Sequence, residues 1–178
     1  MSSVIQGPVF VVRDNIDTDQ IIPAQYLNLV PTIQEEYEKL GSYALIGLPE
    51  PLYPARYVVE GEMDSNYPIV VAGWNLGPGS SREQAATGML AAGVQLVIAK
   101  SFSRIFFRNA INTGLALIES PELAELIHDD DEVTVDLANG EAEGKGHRAR
   151  FEPLPAHLRE ILDHGGLWGY FEARRAAG

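Results

Sequence analysis

Short apolar runs separated by amphipathic stretches make up the middle of the chain. Two stretches with helical spacing, 82–92 and 102–112, lie between the runs, and we expect Ser101 to cap the second. The apolar runs are short and nearly continuous, which is typical of strands buried on both faces of a sheet: 68–74, 94–100 and 115–119. This alternation of strands and helices predicts a parallel sheet with right-handed crossovers.

The N-terminal segment has a less regular pattern. Residues 9–12 are β-branched or aromatic, which predicts a strand, and a loop rich in Asp and Asn follows up to residues 21–22. Thr32 and Glu35 resemble a capping box, so we expect a short helix that ends at Gly41.

The C-terminal segment has clear secondary-structure patterns. Residues 131–151 alternate apolar and polar positions around an Asn-Gly pair, which strongly favours a hairpin. Residues 155–166 predict a final helix that two glycines end, and an apolar tail follows at 167–171. Together the elements predict an α/β fold, with a central, partly parallel sheet and flanking helices, in a single domain over 1–178.

Composition excludes several classes of function. The chain has 25 acidic and 13 basic residues, a formal charge of −12, which argues against non-specific binding to nucleic acid or to anionic membranes. It has no cysteine, so it supplies no disulfide and no thiolate ligand to a metal or an iron–sulfur cluster. No apolar stretch approaches the ~20 residues of a membrane span, and the first residues lack a signal-peptide pattern. We therefore expect a cytoplasmic protein that binds no metal through its own residues.

The sharpest turn of the chain, GPGSSREQ at 77–84, is the first candidate site. A glycine-rich turn between a strand and a helix gathers free backbone N–H groups at the positive end of the helix dipole. Gly77 and Gly79 allow a close approach of the backbone, and Arg82 adds a planar fork suited to a carboxylate or phosphate. Ser80 and Ser81 can donate or accept hydrogen bonds. The pattern indicates an anion site beside a hydroxyl, although a simple helix cap is an equally open alternative.

Three better-known motifs do not fit this turn. The third glycine of a dinucleotide-binding fingerprint is replaced by Arg82, and the Gly-Lys pair of a P-loop is absent. The serines also lack the G-x-S-x-G spacing of a nucleophile elbow, and the four histidines lie on polar stretches of the C-terminal third. A serine without a neighbouring base is a poor nucleophile, so we favour proton abstraction by an alkoxide that N–H groups and Arg82 stabilise.

An acidic segment, DNIDTDQIIP at 14–23, is the second candidate. Its Asp spacing lacks the glycine and the terminal glutamate of a calcium-binding EF-hand loop. Asp14 and Asn15 suit local turns or a helix cap, whereas Asp17 and Asp19 are better placed to hold arginine or to orient a substrate hydroxyl. The residues alone leave these alternatives open.

The combination of blocks resembles a known family. DNIDTDQIIPAQYL, GPGSSREQAA, SFSRIFFRNAINTGL and the terminal DHGGLWGY are similar, in order and approximate spacing, to the swivel-domain branch of the aconitase superfamily. The resemblance is specifically to the small subunits of isopropylmalate isomerases (dehydratases), and it covers nearly the whole chain. It departs from the common family pattern at Gln84, which is often His, and at Pro78.

The resemblance implies a swivelling β/β/α domain that closes over a large partner subunit in a heteromer. That partner would hold a [4Fe–4S] cluster on its own cysteines, and the reaction would move a hydroxyl of a small 2-hydroxy dicarboxylic acid by dehydration and rehydration. Ser80 would be the catalytic base, and Asp19 would be the family's active-site aspartate. Ser81 and Arg82 would bind the substrate carboxylate.

Within the same resemblance, the loop at 26–31 would meet the variable part of the substrate. Leu27, Asn28 and Leu29 carry no charge, and burying an unpaired carboxylate against leucines is costly, so the loop favours an alkyl group such as that of isopropylmalate. Homoaconitate or dimethylmalate as substrate, leucines that only pack the domain, and a non-catalytic anion-binding module remain alternatives. We expect Arg104 and Arg108 to be structural or to contact the large subunit.

Overall fold

The computed structural model describes residues 3–177, which form a seven-stranded sheet in the order β4-β3-β2-β1-β5-β6-β7. The strands are β1 (Val4–Val11), β2 (Ile69–Ala72), β3 (Leu96–Ala99), β4 (Ala116–Glu119), β5 (Glu132–Asp136), β6 (Glu141–Gly144) and β7 (His147–Arg150). The helices are α1 (Thr18–Ile21), α2 (Gln34–Ser42), α3 (Gln84–Ala91), α4 (Arg104–Thr113), α5 (Pro121–Leu126), α6 (Ala156–Asp163) and α7 (Leu167–Ala177), with a 3₁₀ turn at Ala24–Tyr26.

The sheet has a parallel half and an antiparallel half that meet at β1. Strands β1 to β4 pair in parallel, whereas β1 also pairs antiparallel with β5, and the hairpins β5–β6 and β6–β7 extend that side. All four residues of β2 and of β3 are buried, because helices cover both faces of the parallel half. The predicted α/β architecture with a partly parallel sheet is confirmed.

Two apolar cores lie on opposite faces of the sheet, since successive side chains of a strand point in opposite directions. Val70 and Val97 belong to the core that also holds residues of α2, α3 and α4. Ile69 and Ile98 belong to the other core, which α5, α6 and the hairpins complete. The single domain over 1–178 stays a prediction, because residues 1, 2 and 178 lie outside the described residues.

Two of the predicted helix caps are wrong. The N-cap of helix α4 is Ser103, whose Oγ accepts the backbone N–H of Phe106 at 3.3 Å, and not Ser101. Ser101 instead accepts the backbone N–H of Asn75 at 2.8 Å, and so it binds a neighbouring loop. The expected end of α4 at Gly114 is confirmed, with a left-handed φ of 96°.

The expected capping box of α2 does not form. The helix starts after Ile33, with no side-chain cap, and the carboxylate that folds back is Glu36, which accepts the backbone N–H of Val30 at 2.6 Å. Glu36 thus binds the loop before the helix, and neither Thr32 nor Glu35 caps the helix.

The C-terminal third contains more structure than its pattern predicts. The hairpin around the Asn-Gly pair is confirmed, and a second tight turn at Lys145 and Gly146, with φ of 47° and 77°, adds strand β7. The apolar tail at 167–171 is the start of helix α7, on which Trp168 is 77% exposed. Throughout residues 3–177, every helix is too short or too polar to cross a membrane.

Candidate active site at the carboxyl edge of the parallel strands

The candidate residues lie in loops that follow the carboxyl ends of β1, β2 and β3. Parallel strands end at the same edge of a sheet, so these loops are neighbours, and ligands of open α/β sheets commonly bind there. Several backbone hydrogen bonds join the loops, among them those from the N–H of Gly77 to the carbonyl oxygen of Ile16 (2.8 Å), from Thr18 to Pro78 (2.9 Å) and from Leu76 to Ser101 (3.0 Å). The turn at 77–84, called the serine turn below, is therefore held by the loops on both sides of it.

The conformation of the turn requires its glycines. Gly77 has a φ of 84° and lies directly on the ring of Phe106, so a Cβ at this position would overlap that ring. Gly79 has a φ of 115°, and a Cβ there would lie 2.8 Å from Oγ1 of Thr18. The Ser103 hydroxyl donates to the carbonyl oxygen of Gly77 at 2.6 Å, so the cap of α4 also anchors the turn.

Ser80 stands at the exposed tip of the turn with two polar partners beneath it. Its backbone N–H donates to Oγ1 of Thr18 at 3.2 Å, and the two hydroxyl oxygens are 3.5 Å apart. Arg82 donates from Nε to Oγ of Ser80. The serine oxygen is thus open to solvent on one side and faces hydrogen-bond donors on the other.

Arg82 links the turn to the acidic segment. Its Nη1 donates to Oδ1 of Asp19 at 2.9 Å and to the carbonyl oxygen of Ile22 at 3.1 Å. The Arg82 side chain is 13% exposed, whereas that of Asp19 is 64% exposed. The three contacts take up Nε and Nη1 and leave the two N–H groups of Nη2 for a ligand.

The acidic segment divides into structural and site residues. Asp17 forms a capping box with Gln20, since each side chain accepts the backbone N–H of the other, at 2.8 and 3.0 Å. Asp14 accepts the backbone N–H of Trp74 at 2.8 Å and so joins the loops after β1 and β2. Asp17 therefore does not bind arginine, and Asp19 is the aspartate that the short helix presents to Arg82.

Ser81 contributes mainly through its backbone in the free chain. Its side chain is exposed, and its carbonyl oxygen accepts from Nδ2 of Asn109 at 3.1 Å. Sequence reasoning missed Asn109 as well as Thr18. The one available signal was that Asn109 follows Phe106 by three positions, which places both on the face of α4 that packs against the turn.

The three residues of the expected substrate loop have different environments. Leu27 and Leu29 are half-buried and pack against the core, whereas Asn28 is exposed. The neighbouring Tyr26 stacks on Tyr43 with ring centroids 3.7 Å apart, which holds the start of the loop against α2. Leu27 and Leu29 thus pack the domain, as one of the alternatives for this loop expected. Contact of the loop with a substrate stays a prediction.

A metal cluster does not fit the residues of this chain. It has no cysteine, and no three carboxylate or histidine side chains of residues 3–177 lie together in a way that could hold a metal ion. The chemistry available at the site is therefore that of a hydroxyl, a guanidinium and backbone N–H groups. This set suits a small anion whose proton the serine oxygen can take or return.

The chain is similar to known proteins over most of its length. Residues 10–123 match the family model described as the aconitase C-terminal domain. The chain is 44% identical over 176 residues to 3-isopropylmalate dehydratase small subunit 1 of Arabidopsis thaliana, covering 96% of this chain and 68% of that protein. It is 40% identical over 178 residues to the isopropylmalate/citramalate isomerase small subunit of Methanocaldococcus jannaschii, covering 99% and 98%.

A solved structure extends the likeness to the fold. The crystal structure of 3-isopropylmalate dehydratase from Methanocaldococcus jannaschii matches with a TM-score of 0.82 at 38% identity, covering 98% of this chain and 96% of that one. The resemblance seen in the sequence blocks is thus confirmed. The chain belongs to the aconitase C-terminal domain family and, within it, to the small subunits of 3-isopropylmalate dehydratase.

Proposed function

We propose that this chain is the small subunit of a heteromeric hydro-lyase that interconverts 2-isopropylmalate and 3-isopropylmalate in leucine biosynthesis. Family membership supports the reaction class. The observation that carries the proposal is the Ser80 oxygen, which is exposed on one side and held by Arg82 and Thr18 on the other. A serine in this setting can exchange a proton with a carbon atom next to a carboxylate.

Each residue of the site has a distinct part in this reaction. During dehydration Ser80 takes a proton from the carbon atom beside the one that carries the hydroxyl, and that hydroxyl leaves on the side of the large subunit, so that water is lost overall. During rehydration the oxygen of water adds to the first of these carbons, and Ser80 gives the proton to the second. Arg82 supports the Ser80 alkoxide through Nε, and its Nη2 binds the substrate carboxylate together with the hydroxyl of Ser81. Asp19 holds Nη1 and so fixes the plane of the guanidinium.

The partner is a large subunit that closes over this edge of the sheet in the cytoplasm. We propose that the large subunit carries the [4Fe–4S] cluster, since the ligands for a cluster are missing here. A cleft of about 640 Å³ runs beside the serine turn, and Arg104, Ile105 and Arg108 of α4 form its other wall. Ile105 in this wall is 41% exposed, so the cleft offers apolar surface to a partner.

The absence of charge in the loop after the 3₁₀ turn supports an alkylmalate as the substrate. The exposed side chain of Asn28 is neutral, and the flanking leucines are apolar. Arg56, the nearest downstream arginine, lines a different cavity and lies 3.8 Å from Glu60. An alkylmalate therefore suits the loop better than homoaconitate, which would bring an additional carboxylate.

Reconstitution with a substrate panel tests the proposal. The purified chain is assayed alone and with a cluster-loaded large subunit on 2-isopropylmalate, citramalate, dimethylmalate and homoaconitate. We expect turnover only in the mixture, with the highest kcat/KM for 2-isopropylmalate. Activity of the isolated chain, or a preference for homoaconitate, would contradict the proposal.

An arginine in the loop tests the substrate assignment separately. We expect Asn28→Arg to lower kcat/KM for 2-isopropylmalate and to raise it for homoaconitate, because the new charge can pair with the added carboxylate. Asn66→Arg, at another exposed asparagine, is the control and should leave the ratio of the two values unchanged. An unchanged ratio in Asn28→Arg would show that the loop does not meet the substrate.

A further inference from the structure

A buried threonine lies directly beneath the proposed catalytic serine. Thr18 is the first residue of α1 and is 2% exposed. Its backbone N–H donates to the carbonyl oxygen of Pro78 at 2.9 Å, and its Oγ1 accepts the backbone N–H of Ser80 at 3.2 Å. Gly79 packs so closely on the same hydroxyl that a Cβ would lie 2.8 Å from it. Thr18 thus contacts three consecutive residues of the turn.

The donors and acceptors around Ser80 determine the direction of the hydroxyl–hydroxyl contact. Oγ1 of Thr18 and Oγ of Ser80 are 3.5 Å apart, and either oxygen can be the donor while Ser80 keeps its proton. Arg82 Nε can only donate, so Ser80 accepts from it in every state. Once Ser80 has lost its proton it can only accept, and the Thr18 hydroxyl then becomes the donor.

We infer that Thr18 is a positioning residue that holds the Ser80 turn in place and donates a hydrogen bond to the deprotonated Ser80 oxygen. The inference rests on the proposed role of Ser80 as the base. An alkoxide oxygen has three lone pairs, of which Arg82 and Thr18 then take two. The third points to the exposed side, where the substrate carbon would lie.

Thr18 differs from the charged groups around the turn because its replacement changes no charge. Arg82 faces Ser80 from the turn itself, and Asp19 of α1 reaches it through Arg82. Arg104 and Arg108 of α4 line the cleft along the turn. A change in pH dependence after substitution of Thr18 therefore reports the lost hydroxyl and not an altered electrostatic field.

Two substitutions in the reconstituted holoenzyme test the inference. Thr18→Val keeps the shape and removes the hydroxyl, and we expect kcat to fall about 10²-fold, as it does when one oxyanion donor is lost. The rise of kcat with pH should also move to higher pH, since the alkoxide is harder to form. Thr18→Ser keeps the hydroxyl and should restore both the rate and the pH profile. Wild-type behaviour of Thr18→Val, or failure of Thr18→Ser to rescue, would overturn the inference.

The same substitution in a Ser80→Ala background separates this role from a structural one. If Thr18 acts through the Ser80 oxygen, Thr18→Val should cause no further loss of the residual turnover in that background. A further loss equal to that in the wild-type background would show a general structural effect. It would overturn the role of Thr18 but not the proposed function. Unchanged turnover of Ser80→Ala itself would overturn the proposed function and, with it, the role of Thr18.

Discussion

Arg82 is the residue on which the geometry of the candidate site depends most. Its guanidinium contacts Ser80, Asp19 and the carbonyl oxygen of Ile22, and so it joins the two loops that the sequence singled out independently. The planar fork of arginine allows these contacts to form together, which a lysine could not reproduce. The ion pair with Asp19 is thus a device that orients Arg82, and its direct effect on stability is small because Asp19 is 64% exposed.

Asp19→Asn tests this division between orientation and stability. We expect the free energy of unfolding to change by less than about 1 kcal/mol, as for other exposed ion pairs. The kcat/KM of the reconstituted enzyme should fall about 10-fold to 100-fold, because a misplaced catalytic group is costly. Chemical denaturation and steady-state kinetics measure the two quantities.

Glu125→Gln is the matched control, since Glu125 pairs with Lys100 at 2.7 Å and its side chain is also 64% exposed. It should change stability to a similar extent and leave kcat/KM unaltered. Equal losses of activity in Asp19→Asn and Glu125→Gln would contradict an orienting role for Asp19.

At the scale of elements, the serine turn is a rigid connection between β2 and α3. Gly77 packs on Phe106 of α4 and Gly79 packs on Thr18 of α1, so two elements distant in the chain hold the turn. This packing restricts the conformations of the turn, which lowers the entropic cost of ordering it when a substrate binds.

Gly79→Ala tests whether the fit of the turn on α1 matters for activity. The left-handed φ of 115° should cost about 1–2 kcal/mol of stability with a Cβ present. The added methyl group should also displace Thr18 and lower kcat. Gly61→Ala is the control, because Gly61 has a φ of 94° with no atom within 4 Å of a Cβ. Gly61→Ala should lower stability and leave kcat unchanged. A similar loss of kcat in both variants would show that the contact of Gly79 with Thr18 does not matter for activity.

The loop between α5 and β5 depends on a buried carboxylate. The side chain of Asp131 is 5% exposed, and it contacts Lys145 and accepts the backbone N–H of His128 at 2.9 Å. The contact with Lys145, helped by the His128 N–H, lowers the pKa of Asp131 below its ordinary value of 3.8, against the opposing effect of burial. The carboxylate thus stabilises the fold most while it is ionised.

Acid unfolding tests the contribution of Asp131. A lowered pKa in the folded state means that the stabilisation is complete above the unfolded pKa near 3.8 and is lost as the pH falls through the folded value. We expect Asp131→Asn to lose about 1–3 kcal/mol at pH 7 and to show a weaker pH dependence below pH 4, as measured by urea unfolding. Glu152→Gln, at an exposed carboxylate, should behave as wild type. Parallel pH profiles of Asp131→Asn and the wild type would refute the assignment.

The sequence predicts elements well where local signals agree, and it fails where contacts between distant segments decide. The apolar runs of β2, β3 and β4 and the glycines of the turn act locally, so these features were predicted correctly. Thr18 and Ser80 are 62 positions apart, and no local pattern marks the threonine as their link. Ser101 and Ser103 are equally suitable caps by sequence. In the structure, the backbone N–H of Leu76, in the loop after β2, binds the carbonyl oxygen of Ser101, and Ser103 is left to cap the helix.

In the whole molecule, the residues proposed for the reaction come together at one edge of the sheet. The loops after the parallel strands bring Ser80, Arg82 and Asp19 to one edge of the sheet, and an open cleft lies beside the turn that carries Ser80. These residues can hold an anion and move a proton, but no set of metal ligands is found in residues 3–177. The relatives are named small subunits, which implies a large-subunit partner, and we propose that this partner supplies the metal ligands.

We propose that Ser80 transfers the proton in an active site that two subunits share. The most direct test measures turnover of 2-isopropylmalate by the cluster-loaded large subunit mixed with wild-type chain, Ser80→Ala or Ser81→Ala. We expect Ser80→Ala to bind the large subunit normally and to lower kcat about 10²-fold to 10⁴-fold, the contribution of a general base, while Ser81→Ala mainly raises KM. Undiminished kcat in a properly assembled Ser80→Ala enzyme would contradict the account and would favour a non-catalytic anion-binding module.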